Sequence, residues 1–352
     1  MTELTISEIL RGLVPGRLQS VGLMQVIPLT CTDPDLFDQD LVSPMHNYDA
    51  QSSNVRVTSG TTGYGAMQFK NPTDKVLLVP CHVGYVTKHA SQDHAMATSG
   101  LVAAKKEKIF ENAMCIQQRQ GGLIPLEQHK MLILPYSLRE CALAKRSSNE
   151  FSRLWEDIDD FNKTLGIATR GGHLEYFMDA FKEELDQFVA EFEIVPGQTG
   201  AIILVNGSVV GVERAPSPKF WSEVWDALIR ECYGSLAIEV SRKTGNRLPP
   251  PSTRTAIDLQ QINTLDDLEK ELQRADCDAE ARVKTIVRDL LEDPFKTKNE
   301  GDLNRYNLMT LENGQFNGQV VRESQRVVYA SLFTTKSWAK NAPWMKASKF
   351  AV

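Results

Sequence analysis

Three stretches of the chain hold residue types that can do chemistry. The first is Asn112-Ala113-Met114-Cys115-Ile116-Gln117-Gln118-Arg119-Gln120-Gly121-Gly122. Glutamines and an arginine are an odd composition for a core strand. An amide side chain offers both a donor and an acceptor, which suits a base, ribose or amide edge. Arg119 can hold a phosphate through two parallel hydrogen bonds. Cys115 is a candidate nucleophile, but no neighbouring residue supplies a base, and an inert buried thiol is the commoner use of cysteine. As plain structure, the run is a polar edge strand ending in a Gly-Gly turn.

The second stretch holds Cys81, His82, His89 and His94. A His-x4-His pair on a strand does not converge on one ion. No HExxH, paired-cysteine or Asp-x-Asp pattern accompanies it, so no metal site is expected. The third is Gly60-Thr61-Thr62-Gly63-Tyr64-Gly65. Successive N–H groups of such a loop can cradle an anion. Here the loop joins two expected strands, precedes no helix and is followed by no Walker lysine, so it reads as a hairpin loop.

The elements that must position these residues come in blocks. Residues 1–145 read as β-rich, with strands at Val21 to Leu29, Asn54 to Thr58, Ala66 to Phe69, Val76 to Val79 and Met131 to Leu134. Thr30 to Asn54, polar and with two X-Pro pairs, reads as a long surface loop. Residues 146–245 combine helices with a central hairpin. Glu150–Gly166 has helical apolar spacing and a glycine stop. A second helical stripe runs from Leu174 through Phe177, Phe181, Leu185 and Phe188 to Phe192, best explained as core packing. AIILV and SVVGVE across Asn206-Gly207 predict a hairpin. Ser217-Pro218 predicts a capped helix buried through Trp221, Val224, Trp225, Leu228 and Ile229.

Residues 246–256, with prolines at 249–251, read as a linker. Residues 257–295 read as two helices, the first opening with a capping box at Thr264. Residues 296–352 hold a hairpin, Gln319 to Arg322 with Arg326 to Leu332, and an amphipathic tail bearing Trp338 and Trp344. These blocks make one or two compact domains. Because β and α segments are grouped rather than strictly alternating, the expected fold is α+β: a mainly antiparallel sheet with hairpins packed against several amphipathic helices.

Composition bounds the function. The 352 residues are 42% hydrophobic and 24% charged, ordinary for a globular protein and enough to bury a core without staples. The 39 basic and 45 acidic side chains, net −6, argue against a partner that is nucleic acid. Lys105, Lys106 and Lys108 form the densest basic run and read as a solvated face. No apolar run reaches the roughly 18 residues of a membrane span, and the N-terminus lacks the features of a signal peptide. Six scattered cysteines then read as free thiols in a cytoplasmic protein.

Four blocks, in order, resemble the first domain of the ARG and rhodanese-phosphatase-superfamily-associated protein family, where ARG stands for ADP-ribosylglycohydrolase. Val76 to Val79 with Lys88 and Gln92-Asp93-His94 is similar to the family's strand and Lys-Gln-Asn-Arg element. Cys115 to Gln120 resembles its Cys-Val-Glu strand end. Pro196 to Glu213, with the helix Phe220 to Tyr233, resembles its long hairpin and following helix. Gly318 to Phe333 resembles its closing hairpin. The blocks span about Val21 to Phe333.

The chain departs from the pattern at two positions. Gln117 stands where the family usually has Glu, and Tyr329 where it often has His. Arg119 is the arginine nearest to the family's Arg-Trp. A glycosidic hydrolysis needs a carboxylate beside its oxocarbenium-like state, which neutral Gln117 cannot supply. The resemblance therefore implies a binding module for an NAD- or ADP-ribose-type nucleotide, or for an ADP-ribosylated partner, in a microbial or viral conflict system. Lys88 and Arg119 would meet phosphates, Gln92, Gln117 and Gln118 ribose or amide edges, and Tyr329 would complete the site; no cofactor is required. Two alternatives stand beside it. One is an enzyme on the same ligands, using Cys115 or a carboxylate such as Glu111. The other is a ligand-free assembly protein, a homo-oligomer joined through hairpin edges and tail.

Overall fold

The computed structural model describes residues 4–45, 56–59, 65–87, 93–118, 129–148, 150–168, 171–244, 264–290 and 293–335. Its centre is a nine-stranded sheet assembled around the Asn-Gly hairpin. Asn206 and Gly207 both take positive φ, 49° and 78°, as the tight turn demands. They join Gln198–Val205 to Ser208–Arg214 with Val205 opposite Ser208. On one side Gln198–Val205 pairs with Met24–Thr30, which also pairs with Val14–Pro15 and Gln19–Val21. On the other side Ser208–Arg214 pairs with Arg326–Thr334, and the sheet continues through Phe316–Glu323, Tyr306–Glu312 and Lys296–Leu303. Every one of these pairings is antiparallel.

Strand alternation sorts side chains into two cores. Ala201, Ile203 and Val205 point into the larger one, Ile202 and Leu204 into the smaller. The larger core is roofed by Tyr136–Ala144, Pro218–Ala227 and Gly234–Thr244. The smaller is closed by Ile6–Leu10 and the C-terminal half of Leu265–Asp289. Burial on both faces is why the central strands are continuous apolar runs.

Three smaller sheets hold the N-terminal strands. Val76–Val79 lies between Gly100–Val102 and a parallel Leu41–Val42. Met67–Lys70 lies between Glu107–Phe110 and Arg56–Ser59. The third runs Met114–Cys115, His94–Ala95, Val83–Thr87, His129–Ile133. The fold is thus α+β with mostly antiparallel sheets. Among the described residues no helix is long and apolar enough to cross a membrane.

Four expectations need correction. Thr30 to Asn54 is not all surface loop: Leu41 is buried in a strand, and Asp38 is enclosed, accepting from Tyr306 Oη at 3.0 Å. The stripe from Leu174 to Phe192 is two helices, Glu175–Ala180 and Lys182–Glu191, because Phe181 leaves the helical region (φ −121°, ψ 24°) while remaining buried. The charged segment is one helix, Leu265–Asp289, not two. The strands Lys296–Leu303 and Tyr306–Glu312 lie ahead of the closing hairpin; the first is largely exposed and too polar to show a strand pattern. Lys88, Gln92, Arg119, His89, residues 60–64, the proline linker, Trp338 and Trp344 lie outside the described residues.

Candidate functional site

The Cys115–Gln118 strand end is held from two directions. Cys115 is fully buried; its N–H donates to Phe151 O at 2.9 Å and its Sγ to Gln117 O at 2.9 Å. Gln117 bridges to His173, and its buried Oε1 has no hydrogen-bond partner among the described residues. Gln118 is exposed, and its Oε1 accepts the Gly172 N–H at 3.0 Å. Two glycines make this approach possible. A Cβ on Gly171 (φ +123°) would lie 2.2 Å from Gln118 Oε1, and one on Gly172 would lie 2.3 Å from Trp155 O.

Beside Gln118 opens a cleft of about 510 Å³, lined also by Lys145, Arg153, Trp155, Asp159 and Gly171. That size suits a small organic ligand. Arg153, 7% exposed, is its anchor. Its Nη1 donates to Ser148 O and to Glu150 O at 3.0 Å, and its Nη2 to the carbonyls of Asn112 and Ala113. Among the described residues its Nε has no hydrogen-bond partner and no carboxylate neutralises it. Burial lowers its pKa, but from a value so high that it stays charged. Lys145 Nζ holds Arg153 O at 2.7 Å and Asp157 at 2.5 Å. The Trp155 indole N–H is also buried, with no hydrogen-bond partner among the described residues. Glu150, Glu156 and Asp159 add negative charge along the rim.

Tyr329 belongs to a second polar centre, enclosed in the larger core. Its hydroxyl accepts the Cys81 N–H at 2.8 Å, and burial pushes its pKa up. The middle of this centre is Arg139, fully buried on the helix Tyr136–Ala144. Its Nη1 reaches Glu213 Oε1 at 3.1 Å, its Nη2 donates to Ser331 at 2.6 Å, and its Nε donates to His82 Nδ1 at 3.2 Å. Its face lies 4.6 Å from the Phe333 ring. Tyr233 adds a hydrogen bond to Glu213 at 2.7 Å. Tyr233 and Cys232 reach Arg139 because Leu228–Tyr233 is a π-helical turn, which rotates them relative to an ordinary helix.

Burial raises the pKa of Glu213, against the pull of Arg139. Burial alone would lower that of Arg139, but Cys232 and Glu213 lift it well above its usual value. Burial and the Arg139 charge drive His82 well below the usual imidazole range. His82 is therefore neutral, with its proton on Nε2. It also sits at φ 63°, strained for a non-glycine residue. Burial pushes the thiols of Cys81 and Cys232 up to about 11 and about 12, so neither is a thiolate at neutral pH.

His94 is occupied on both ring nitrogens, Nε2 accepting from Gly65 N–H at 3.2 Å and Nδ1 facing Tyr85 Oη at 2.9 Å. Among the described residues no group of three His, Cys, Asp or Glu side chains is placed to hold a metal ion. Of the described candidates, Gln118 lines the cleft; Cys115 and Gln117 precede it on the same strand end, and Tyr329 belongs to the Arg139 centre, with different hydrogen-bond partners. Arg139, Glu213 and Arg153 escaped sequence reasoning. A Glu-Arg pair closing the apolar run of Ser208–Arg214 was the available signal for Glu213; Arg139 and Arg153 carried none.

No curated protein and no solved structure matches the chain. The model of the ARG and Rhodanese-Phosphatase-superfamily-associated Protein domain matches residues 12–333, nearly the full length, and the chain belongs to that family.

Proposed function

We propose that the protein is a binding module whose cleft beside Gln118 takes an NAD- or ADP-ribose-type nucleotide, free or attached to a partner protein. The observation that carries this reading is Arg153: a charged guanidinium, buried at the cleft and bonded to carbonyls, with no carboxylate to cancel it among the described residues. Such a charge favours an anionic group entering the cleft. The Gln118 amide and Lys145 supply polar contacts on the same wall. The family name, with its ADP-ribosylglycohydrolase association, supports the choice of ligand class, and we place the protein in a microbial or viral conflict system. That warrant is one of association.

Calorimetry with ADP-ribose, NAD⁺ and cyclic ADP-ribose tests the reading. Heat with at least one of them is expected, with affinity falling about tenfold in Gln118→Ala or Lys145→Ala, the worth of one good polar contact. Folded protein giving no heat with any of the three overturns it.

A second reading is hydrolysis at the same cleft. Glu150, Glu156 and Asp159 line it, so a carboxylate is available to an oxocarbenium-like state even though Gln117 is neutral. Release of nicotinamide or ADP-ribose, lost in Glu156→Gln with folding intact, would favour it over simple binding.

A further inference from the structure

The helix Leu265–Asp289 is anchored over its C-terminal half, where Val283, Ile286, Val287 and Leu290 pack on the smaller core. Going back toward its start, Ala275 is buried and Asp276 pairs with Arg17 at 2.6 Å. Over residues 265–274 no side chain of the helix is buried. These residues are held as helix by a complete capping box between Thr264 and Asp267.

This half of the helix keeps an apolar seam. Leu265, Leu268, Leu272, Ala275 and Ala279 recur at alternating intervals of three and four, the spacing that pairs helices. Leu265 is 85% exposed and Leu272 42%. At about 100° per residue, Glu269, Asp276 and Glu280 border the seam on one side and Asp267, Glu271 and Asp278 on the other. From Leu265 to Glu280 there are seven carboxylates against Lys270 and Arg274. The seam runs into a groove of about 340 Å³ between Pro15, Gly16 and Arg17 and the helix residues Ala279 and Val283.

Residues 336–352 carry the complementary chemistry. They hold Lys336, Lys340, Lys346 and Lys349, no acidic side chain, and Trp338, Trp344, Met345 and Phe350. They follow Thr335 at the end of Arg326–Thr334, where Phe333 lies opposite Gly211. The Asn206-Gly207 turn closes that same end of the sheet, and a Cβ on Gly207 would lie 3.9 Å from Arg282 of the helix. The chain therefore leaves the sheet where the helix crosses it. Seventeen residues reach up to about 55 Å, whereas 282 to 265 is about 26 Å along the helix.

We propose that residues 336–352 dock on this seam within the same molecule, with tryptophan against Leu268, Leu272 and the groove and the lysines against the flanking carboxylates. The full-length chain with a photoreactive benzoylphenylalanine in place of Leu272 tests it. The expected product is a monomer cross-linked to a peptide from 336–352. Its yield should fall several-fold in Lys340→Glu/Lys346→Glu and in about 0.5 M salt, which screens exposed charge. Cross-links that avoid 336–352, or that join two molecules, overturn the proposal. Limited trypsin digestion of unlabelled protein gives a second reading. Leu268→Asp should speed cleavage at Lys340 and Lys346 several-fold, and unchanged rates overturn the proposal.

Discussion

Arg139 Nη1 lies 3.1 Å from Glu213 Oε1, with both side chains buried between the large sheet and its helical roof. A buried pair is costly to break from one side, because the surviving charge is stranded. Arg139→Met should lower unfolding free energy by about 3–5 kcal/mol. Arg139→Met/Glu213→Leu should lose clearly less than that single variant. Urea denaturation of the wild type and the two variants checks this; a double variant that loses as much as Arg139→Met, or more, refutes it.

His82 makes stability depend on pH. Its folded pKa lies well below the unfolded value near 6.5. The unfolded state thus binds the proton first, and the stability His82 contributes is present above about pH 6.5 and lost as pH falls below it. Glu213 acts with the opposite sign. Its folded pKa is raised from 4.5, so its contribution declines as pH rises from there through the folded value. His82→Asn, which tolerates the positive φ, should flatten the acid-side slope without removing that of Glu213. Melting curves across roughly pH 4 to 8 compare the slopes. An unchanged acid-side slope in the variant would count against this assignment.

Gly171→Ala should act on the cleft. The new methyl would sit 2.2 Å from Gln118 Oε1 at a φ of +123°, so Gln118 must swing away from Gly172. The expected cost is about 1–3 kcal/mol, with nucleotide affinity reduced at least as much as in Gln118→Ala. Calorimetry at a temperature where the variant is folded separates the two effects.

Two helix caps should behave differently. Ser217 Oγ accepts the Phe220 N–H on a helix buried in the core. Ser217→Ala should cost about 1 kcal/mol of global stability. Thr264 caps a helix start with no buried side chain over residues 265–274, so Thr264→Ala should fray those residues while the urea midpoint stays put. Hydrogen exchange resolved by peptide reads both outcomes.

Much of the fold is legible where local chemistry decides. Asn206-Gly207 dictates its turn, Ser217-Pro218 and Thr264 their helix starts, and Gly166 (φ +76°) a helix stop. What escapes is decided by distant partners. Lys296–Leu303 carries almost no apolar residue and becomes a strand because Tyr306–Glu312 pairs with it. Leu41–Val42 is a strand through Val76–Val79. At the site, Gln118 is conspicuous by composition. Arg153 is a single arginine among ordinary neighbours until the carbonyls of Asn112 and Ala113 close on it from the turn between Glu107–Phe110 and Met114–Cys115. The Arg139 centre joins residues from 82 to 331, and no local pattern announces such a meeting.

The order of strands in the large sheet constrains how the molecule is made. The Asn-Gly hairpin has Met24–Thr30 along one edge and Arg326–Thr334 along the other. As the chain is synthesised, the hairpin's second edge has no neighbour until more than a hundred further residues have left the ribosome. An apolar strand with unmet backbone groups is a template for pairing with other chains. The newborn protein must pass through a long interval of adhesiveness, which slow synthesis of its last third would prolong and a chaperone covering Ser208–Arg214 would shorten.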